Sequence, residues 1–499
     1  MADIIINGTT VRVSSGVVSS GLHVTSDGEV TVLDGGVVTD AEATRYGFFW
    51  VEEAGFLQNT FLHDSGEAFV SGGSAQNLTM QSGGQANIMS GLFRSGTVLD
   101  GGVGVIYTTA SGYDVTISSG GRFLVYGGYA ENTRVAGGGS FTIQLSGGLA
   151  SETTVEAGAM ARIVSGAVAS KNTLNGGRME VLMGMADDVT ILNGGRLKVH
   201  AAGEAQTITV RDGLLEVETG TVYDTFLSGG SADIRKGAAF RFNQFGGSAD
   251  VMSGTVVTGG TLAGGVMTVW TGALLMDYTF LGGQLSIDSG VVVSRGELKM
   301  DLRTASGAIY RETAVKSALF DVESGAEVEG IVVSDSGRMA VHDGAVVTGT
   351  TVDKNGTVTL LSGGRADGIA VVSGSSRSSV SISGFIINLG DSYRAPVLGS
   401  EGGVLLMSSG AVATNVELMC GTVGVSGGAL VSGVSMTSGG IVNIESGGVV
   451  RDEAVRQTVV EDIRRFGTEV LRLTWLGCVP SPLKGPEGNV EFLAYWKVA

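Results

Sequence analysis

The sequence predicts an all-β chain: a β-solenoid of the right-handed parallel β-helix kind, with a small α+β tail at its C-terminus. Three observations predict it. A Gly-rich phrase, commonly Ser-Gly-Gly or Asn-Gly-Gly, recurs about every eighteen or nineteen residues over the first nine-tenths of the chain, as in a stacked repeat architecture. The segments between the phrases alternate apolar and polar residues, the pattern of a half-buried strand. The composition excludes the other Gly-rich classes: 83 of 499 residues are Gly but only 4 are Pro, so there is no collagen period. Positive mean hydropathy argues against disorder.

The elements follow in order. One set of Gly turns falls at Gly120, Gly138, Gly158, Gly176 and Gly194, and a second between them at Gly127, Gly147, Gly166 and Gly184. Segments such as Arg122-Phe-Leu-Val-Tyr126 and Arg196-Leu-Lys-Val-His200 lie between turns, so two strands and two turns are expected per coil. Such strands cannot stand alone and must pair with the coils above and below, with Val, Ile, Leu and Met pointing inward. The Gly pairs disappear from 294 to 319 and from 375 to 402, which are expected as irregular insertions. Loops leaving a rigid scaffold are natural places for binding. An aromatic cluster at Tyr46-Gly-Phe-Phe-Trp50 reads either as core or end of the stack, or as an exposed protein- or carbohydrate-binding patch. The candidate binding residues are therefore Tyr46, Phe48, Phe49 and Trp50, with Tyr310 and Tyr393 from the two gaps. After about residue 446 the repeat gives way to a tail. There Asp452–Phe466 reads as a helix with Val455, Val459, Ile463 and Phe466 on one face, and Glu469–Trp475 and Val490–Trp496 read as strands.

Charge and motifs restrict the function. The formal net charge is −18. The tail carries equal numbers of acidic and basic residues, so the excess belongs to the repeats, and nucleic acid is not expected as their partner. Cys420 and Cys478 are far apart, which gives no disulfide framework and no zinc site. His23, His63, His200 and His342 are isolated in the sequence and are expected to be outward coil residues. Gly101-Gly-Val-Gly104 lacks the strand–turn–helix setting of a dinucleotide loop. No catalytic, metal or cofactor site is expected. Nor does the N-terminus read as a signal peptide, or any segment as a membrane-spanning helix or a terminal membrane barrel.

Phrases such as Thr154-Val-Glu-Ala-Gly158, Ile191-Leu-Asn-Gly-Gly-Arg-Leu-Lys-Val199 and Met436-Thr-Ser-Gly-Gly-Ile-Val-Asn-Ile444 resemble the passenger repeats of AIDA-type autotransporter adhesins, over about residues 1–450. The resemblance implies a cell-surface or secreted β-helix that binds host or neighbouring cell-surface proteins or glycans, or associates with itself, in adhesion or autoaggregation. The tail carries a second resemblance. Gly447-Gly-Val-Val-Arg-Asp452 with Pro480-Ser-Pro-Leu-Lys-Gly-Pro-Glu-Gly-Asn-Val-Glu-Phe-Leu493 is similar to the C-terminus of hemolysin A-type (TlyA, FtsJ-like) ribosomal RNA 2′-O-methyltransferases. By that resemblance Glu491 matches the last member of the family's catalytic set, while the donor-binding loop and the other catalytic residues would lie upstream, where this chain has solenoid. One carboxylate binds no methyl donor and positions no hydroxyl. The expected function is therefore a non-enzymatic adhesin-like solenoid whose tail covers its open end. The alternatives are a methyltransferase-related protein lacking its S-adenosylmethionine-binding half, and a glycan-processing β-helix.

Overall fold

The computed structural model describes residues 4–352 without a break. Beyond them it describes residue 356, the strands from Thr357–Leu360 to Val449–Val450, and residues 453–484 and 490–497. The chain is mostly β, a β-solenoid of about twenty turns, with one short C-terminal helix among the described residues. It forms two compact units, Met1–Val269 and Trp270–Ala499, a division inside the repeat region.

In the first unit each coil crosses three ladders, paired in parallel from coil to coil, but neighbouring faces often share one continuous strand. Glu67–Gln76 spans the second and third, and from Val168–Asn175 on one strand spans the third and first, so that these coils have the two strands the sequence suggests while the earliest coils have three. The first face is the ladder Leu22–Thr25, Glu42–Ala43, Phe61–Leu62, Thr79–Met80 and onward. The second begins Thr10–Val13, Glu29–Val32, Phe48–Val51 and continues through the front half of Glu67–Gln76. The third runs Val37–Thr39, Phe56–Gln58 and the rear half of Glu67–Gln76. The first-face strands often have only two residues, too few to show a period of two, and so the sequence hides them.

Inward side chains fill the coils without solvent: Val30, Phe49, Val70, Ile88 and Ile106 along the second face are each 0% exposed. Phe93, Phe123 and Phe141 stack along the axis at 6.1 and 5.7 Å between ring centroids. Burial of such residues contributes roughly 1.5–3 kcal/mol each, and this apolar interior holds the coils together.

The Gly phrase has two separate physical causes, visible at Ser82-Gly83-Gly84. Gly83 sits at φ +84°, in the left-handed region. Gly84 instead lies so close to the previous coil that an added Cβ would stand 2.0 Å from the Leu62 carbonyl oxygen. At the corner from the third face to the first, other residues take the left-handed conformation. Asp40, Asn59, Asn77, Asp114, Asn132, Glu152, Lys171, Asp224 and Arg241 all have φ between 49° and 58°. A left-handed non-Gly residue costs about 1–2 kcal/mol, and neighbouring coils offset part of this by pairing the side chains. Asn59 donates to Asp40 at 3.0 Å, Asn77 to Asn59 at 3.0 Å, Lys171 to Glu152 at 3.1 Å, and Arg241 pairs with Asp224.

The second unit keeps the three-ladder plan. The span 294–319, expected as an irregular insertion, is regular coil: Val292–Ser294 pairs with Ile309–Arg311, Glu297–Leu298 with Ala314–Lys316, and Leu302–Arg303 with Leu319–Val322. Its corners dispense with Gly pairs because Arg295 and Glu312 take the left-handed conformation, with Arg295 held by Asp277 at 2.7 Å. The second gap, 375–402, lies outside the described residues except for the strands Ser379–Ile382 and Val397–Leu398.

The tail forms the helix Glu453–Arg465 and an antiparallel pair, Thr474–Lys484 with Val490–Lys497. The strand expected from Glu469 starts five residues later. Phe466–Val470 is instead a wide helical turn, fastened by the Thr468 hydroxyl donating to the Arg464 and Arg465 carbonyls and by Gly467 packing under the Trp496 ring. Val459, Ile463 and Phe466, the aligned apolar side chains, are 41%, 48% and 55% exposed. At these three positions the helix face is open to solvent.

Candidate functional site

The second face of the first unit gathers outward-pointing aromatic and charged residues. Its strands alternate outward and buried side chains, and parallel register lines the outward ones into columns about 4.8 Å apart from coil to coil. One column reads Thr31, Trp50, Phe69, Asn87, Val105, Leu124, Thr142, Arg162, Glu180, Lys198, Glu216, Asp233. The face thus changes character along its length, from aromatic and amide to fully charged.

At the aromatic stretch, Trp50 stacks on Phe69 at 5.5 Å with 30° between planes, and Phe48 meets Phe69 edge-on at 6.2 Å. All three are half-buried. In the adjoining column Phe48 lies in register between Glu29 and Glu67 of the neighbouring coils. Glu67 has no cationic partner, and burial against the rings holds its carboxyl above the ordinary value. The corner beside Val51 adds exposed Glu52 and Glu53, stacked with exposed Asp34 of the coil before. Two coils beyond Phe69, Tyr107 and Tyr126 stack at 5.9 Å with 17° between planes.

At the charged stretch every acid has a base. Glu216, 2% exposed, pairs with Arg196, with Arg235 at 3.5 Å and with Lys198 at 3.9 Å. Glu180 pairs with Arg178 at 2.5 Å and Arg162 at 3.1 Å. Glu218 takes Lys198 at 2.8 Å and His200 at 3.0 Å, and the Lys198 hydrogen bond above all holds its carboxyl below the ordinary value.

Of the sequence candidates, Tyr46 is 67% exposed at a left-handed corner, and Phe48 and Trp50 point outward. Phe49 and Tyr310 are each 0% exposed, which corrects their place in a binding surface: strict alternation turns Phe49 into the core between Phe48 and Trp50, and Tyr310 likewise between Ile309 and Arg311. Tyr393 and the Glu491 side chain lie outside the described residues. The four His residues are not isolated in space. His23 meets Glu42 at 2.7 Å and His63 reaches both Glu42 and Asp64, while His200 meets Glu218 and His342 meets Asp321 at 3.4 Å. Burial acts to raise the Glu42 carboxyl, but the hydrogen bonds from His63 and His23 outweigh it and hold the group low. Among the described residues no three His, Cys, Asp or Glu are placed to hold a metal ion, and no helix is long and apolar enough to cross a membrane.

Sequence reading missed Phe69, Tyr107, Tyr126 and the acidic corner. The signal was present in the spacing: Trp50 to Phe69 and Tyr107 to Tyr126 are each one nineteen-residue coil apart.

In the second unit a shallow groove of about 210 Å³ lies over the strands Ile309–Arg311, Glu327–Glu329 and Val346–Val352. Ile309 and Val346 line it together with Arg311, Glu327 and Glu329, and Arg311 stands 3.7 Å from Glu329.

Fold and face define a parallel β-solenoid that offers a long patterned surface. No family model matches the chain, and no curated protein matches it. Among solved structures it is similar to the crystal structure of a TibC-catalysed, hyper-glycosylated fragment of TibA, residues 55–350, at 19% identity. The match covers 90% of this chain and 100% of that one, with a TM-score of 0.25. A score this low carries no argument, and the fold stands on the strand registers above.

Proposed function

We propose that this chain is a non-enzymatic, surface-exposed, adhesin-like solenoid that holds a partner through the aromatic stretch of its second face. The observation that carries the reading is the cluster Phe48, Trp50 and Phe69, kept half-exposed on a rigid ladder and ringed by carboxylates without cationic partners. Large rings at the centre of a polar rim are the usual anchors of protein contacts. The repeat resemblance to AIDA-type passengers supports the same reading and suggests display at a cell surface. Cells displaying the chain should adhere to target cells or to each other, and Trp50→Ala/Phe69→Ala should reduce adhesion at least tenfold, as loss of a central aromatic anchor does. A variant that keeps its circular dichroism and adheres like the parent overturns the assignment. The methyltransferase alternative is checked on the same preparation: turnover with S-adenosylmethionine and ribosomal subunits would replace the adhesive reading.

A further inference from the structure

We infer, building on the adhesive reading above, that the Phe48–Trp50–Phe69 patch takes a cationic protein segment, with Lys or Arg side chains along an apolar stretch, in preference to a glycan. Two observations carry this. The first is the orientation of the rings. A sugar bound by an aromatic residue lies flat on a free ring face, in carbon contact at about 3.5–4.0 Å. Here Trp50 sits in register between Thr31 and Phe69, and Phe69 between Trp50 and Asn87. Successive coils are about 4.8 Å apart, so nothing the thickness of a pyranose enters between them. Trp50 and Phe69 therefore present their edges, which suit aliphatic side-chain stems, while Phe48 stands perpendicular to Phe69 beside them.

The second observation is the charge around those edges. Glu29 and Glu67 flank Phe48 along the ladder, and Asp34, Glu52 and Glu53 line the adjoining corner. None of the five is ion-paired; Glu29 accepts only hydroxyl hydrogen bonds from Thr10 at 3.2 Å and Thr31 at 3.0 Å. The cations nearest in the ladder are Arg12, in register with Thr31, and Arg45 at the opposite corner. The patch is therefore net acidic with an apolar centre. It repels sialylated or uronic glycans and complements ammonium or guanidinium groups carried on apolar stems. The charged stretch further along the same face offers no such opening, because its acids are already paired.

The test uses the full chain and four immobilised probes: a peptide of alternating Leu and Lys, the same peptide with Glu for Lys, the same with Gln for Lys, and a neutral β-1,4-linked glucose oligomer. The Leu–Lys peptide should bind and weaken as salt is raised. Binding should fall at least tenfold in Glu52→Gln/Glu53→Gln, which keeps the rings, and equally in Trp50→Ala/Phe69→Ala, which keeps every charge. The inference is overturned if the ring variant binds the Leu–Lys peptide like the parent, since attraction to net charge alone would then suffice. Equal binding of the Gln peptide also overturns it. So does capture of the oligosaccharide by the parent and not by the ring variant. In that last case adhesion still depends on Trp50 and Phe69, and the adhesive reading survives the loss of this one.

Discussion

Two stretches of one face, the aromatic stretch around Trp50 and the charged stretch around Glu216, share backbone, register and the same buried interior, yet present opposite surfaces. Around Glu216 each carboxylate meets a guanidinium or ammonium, Glu180, Glu216 and Glu218 on a neighbouring coil and Asp233 on its own coil, so the surface satisfies itself. Around Trp50 the rings stack on one another while five carboxylates are left without cations. The solenoid therefore fixes where outward side chains stand and leaves their chemistry free. A stretch that pairs its own charges contributes to coil stacking; one that leaves them open is available to a partner.

The largest expected effect tests the part the two stretches have in common. Phe123→Ala empties the centre of the Phe93–Phe123–Phe141 stack and should cost about 3–5 kcal/mol, read as a large drop in the thermal midpoint. A small drop would mean that the interior is not what holds the coils. Next, the stretches should separate on truncation. Glu216→Ala leaves Arg196 without its carboxylate, while Lys198 keeps Glu218 and Arg235 keeps Asp233. It should cost about 2 kcal/mol, below the 3–5 kcal/mol of a fully buried pair, because the Arg196 side chain is 40% exposed. Trp50→Ala should cost about 1 kcal/mol or less, as half-exposed positions do. Equal losses in the two variants would erase the distinction between a stacking stretch and a binding stretch.

The smallest effect is in pH, and its sign differs between the stretches. Glu218 has a lowered carboxyl, so its folded form binds its proton less readily than the unfolded form. It contributes stability above the ordinary Glu value of about 4.5, lost as pH falls through the lower folded value. Glu67 is raised by burial, so its ionised form is a penalty above the folded value, relieved as pH falls through it. Acidification should thus lower amide protection, measured relative to the intrinsic exchange rate at each pH, near Gly213–Val217 and leave that of Glu67–Val70 unchanged or higher. Glu67→Gln should remove the pH response of its strand, and Glu218→Gln that of its own. Parallel responses in both strands would contradict the assignment.

Particular residues show how much could be read beforehand. Arg122–Tyr126 was legible as a strand because five alternating residues display a period of two. Phe61–Leu62 was not, because two residues display none, and the earliest coils were one strand short on paper. The 294–319 gap looked irregular because Gly marks a turn in the sequence. Arg295 makes the same turn through a left-handed backbone and an ion pair with Asp277, contributed by the previous coil. The aromatic patch was half visible: Tyr46–Trp50 announced it, but its partner Phe69 lies nineteen residues away.

The sequence by itself determined the repeat period, the all-β class, the acidity of the coils and the absence of a nucleotide or disulfide motif. These are properties of composition and near-neighbour spacing. Only the tertiary structure decided that Phe49 and Tyr310 are buried and that four scattered His residues sit beside carboxylates. It also decided that Trp50, Phe69, Glu29 and Glu67 form one surface. The physical reason is the stacking itself. In a parallel ladder the strongest side-chain neighbours lie one coil apart, eighteen or nineteen residues along the chain, and exact register, which local pattern does not encode, selects who meets whom.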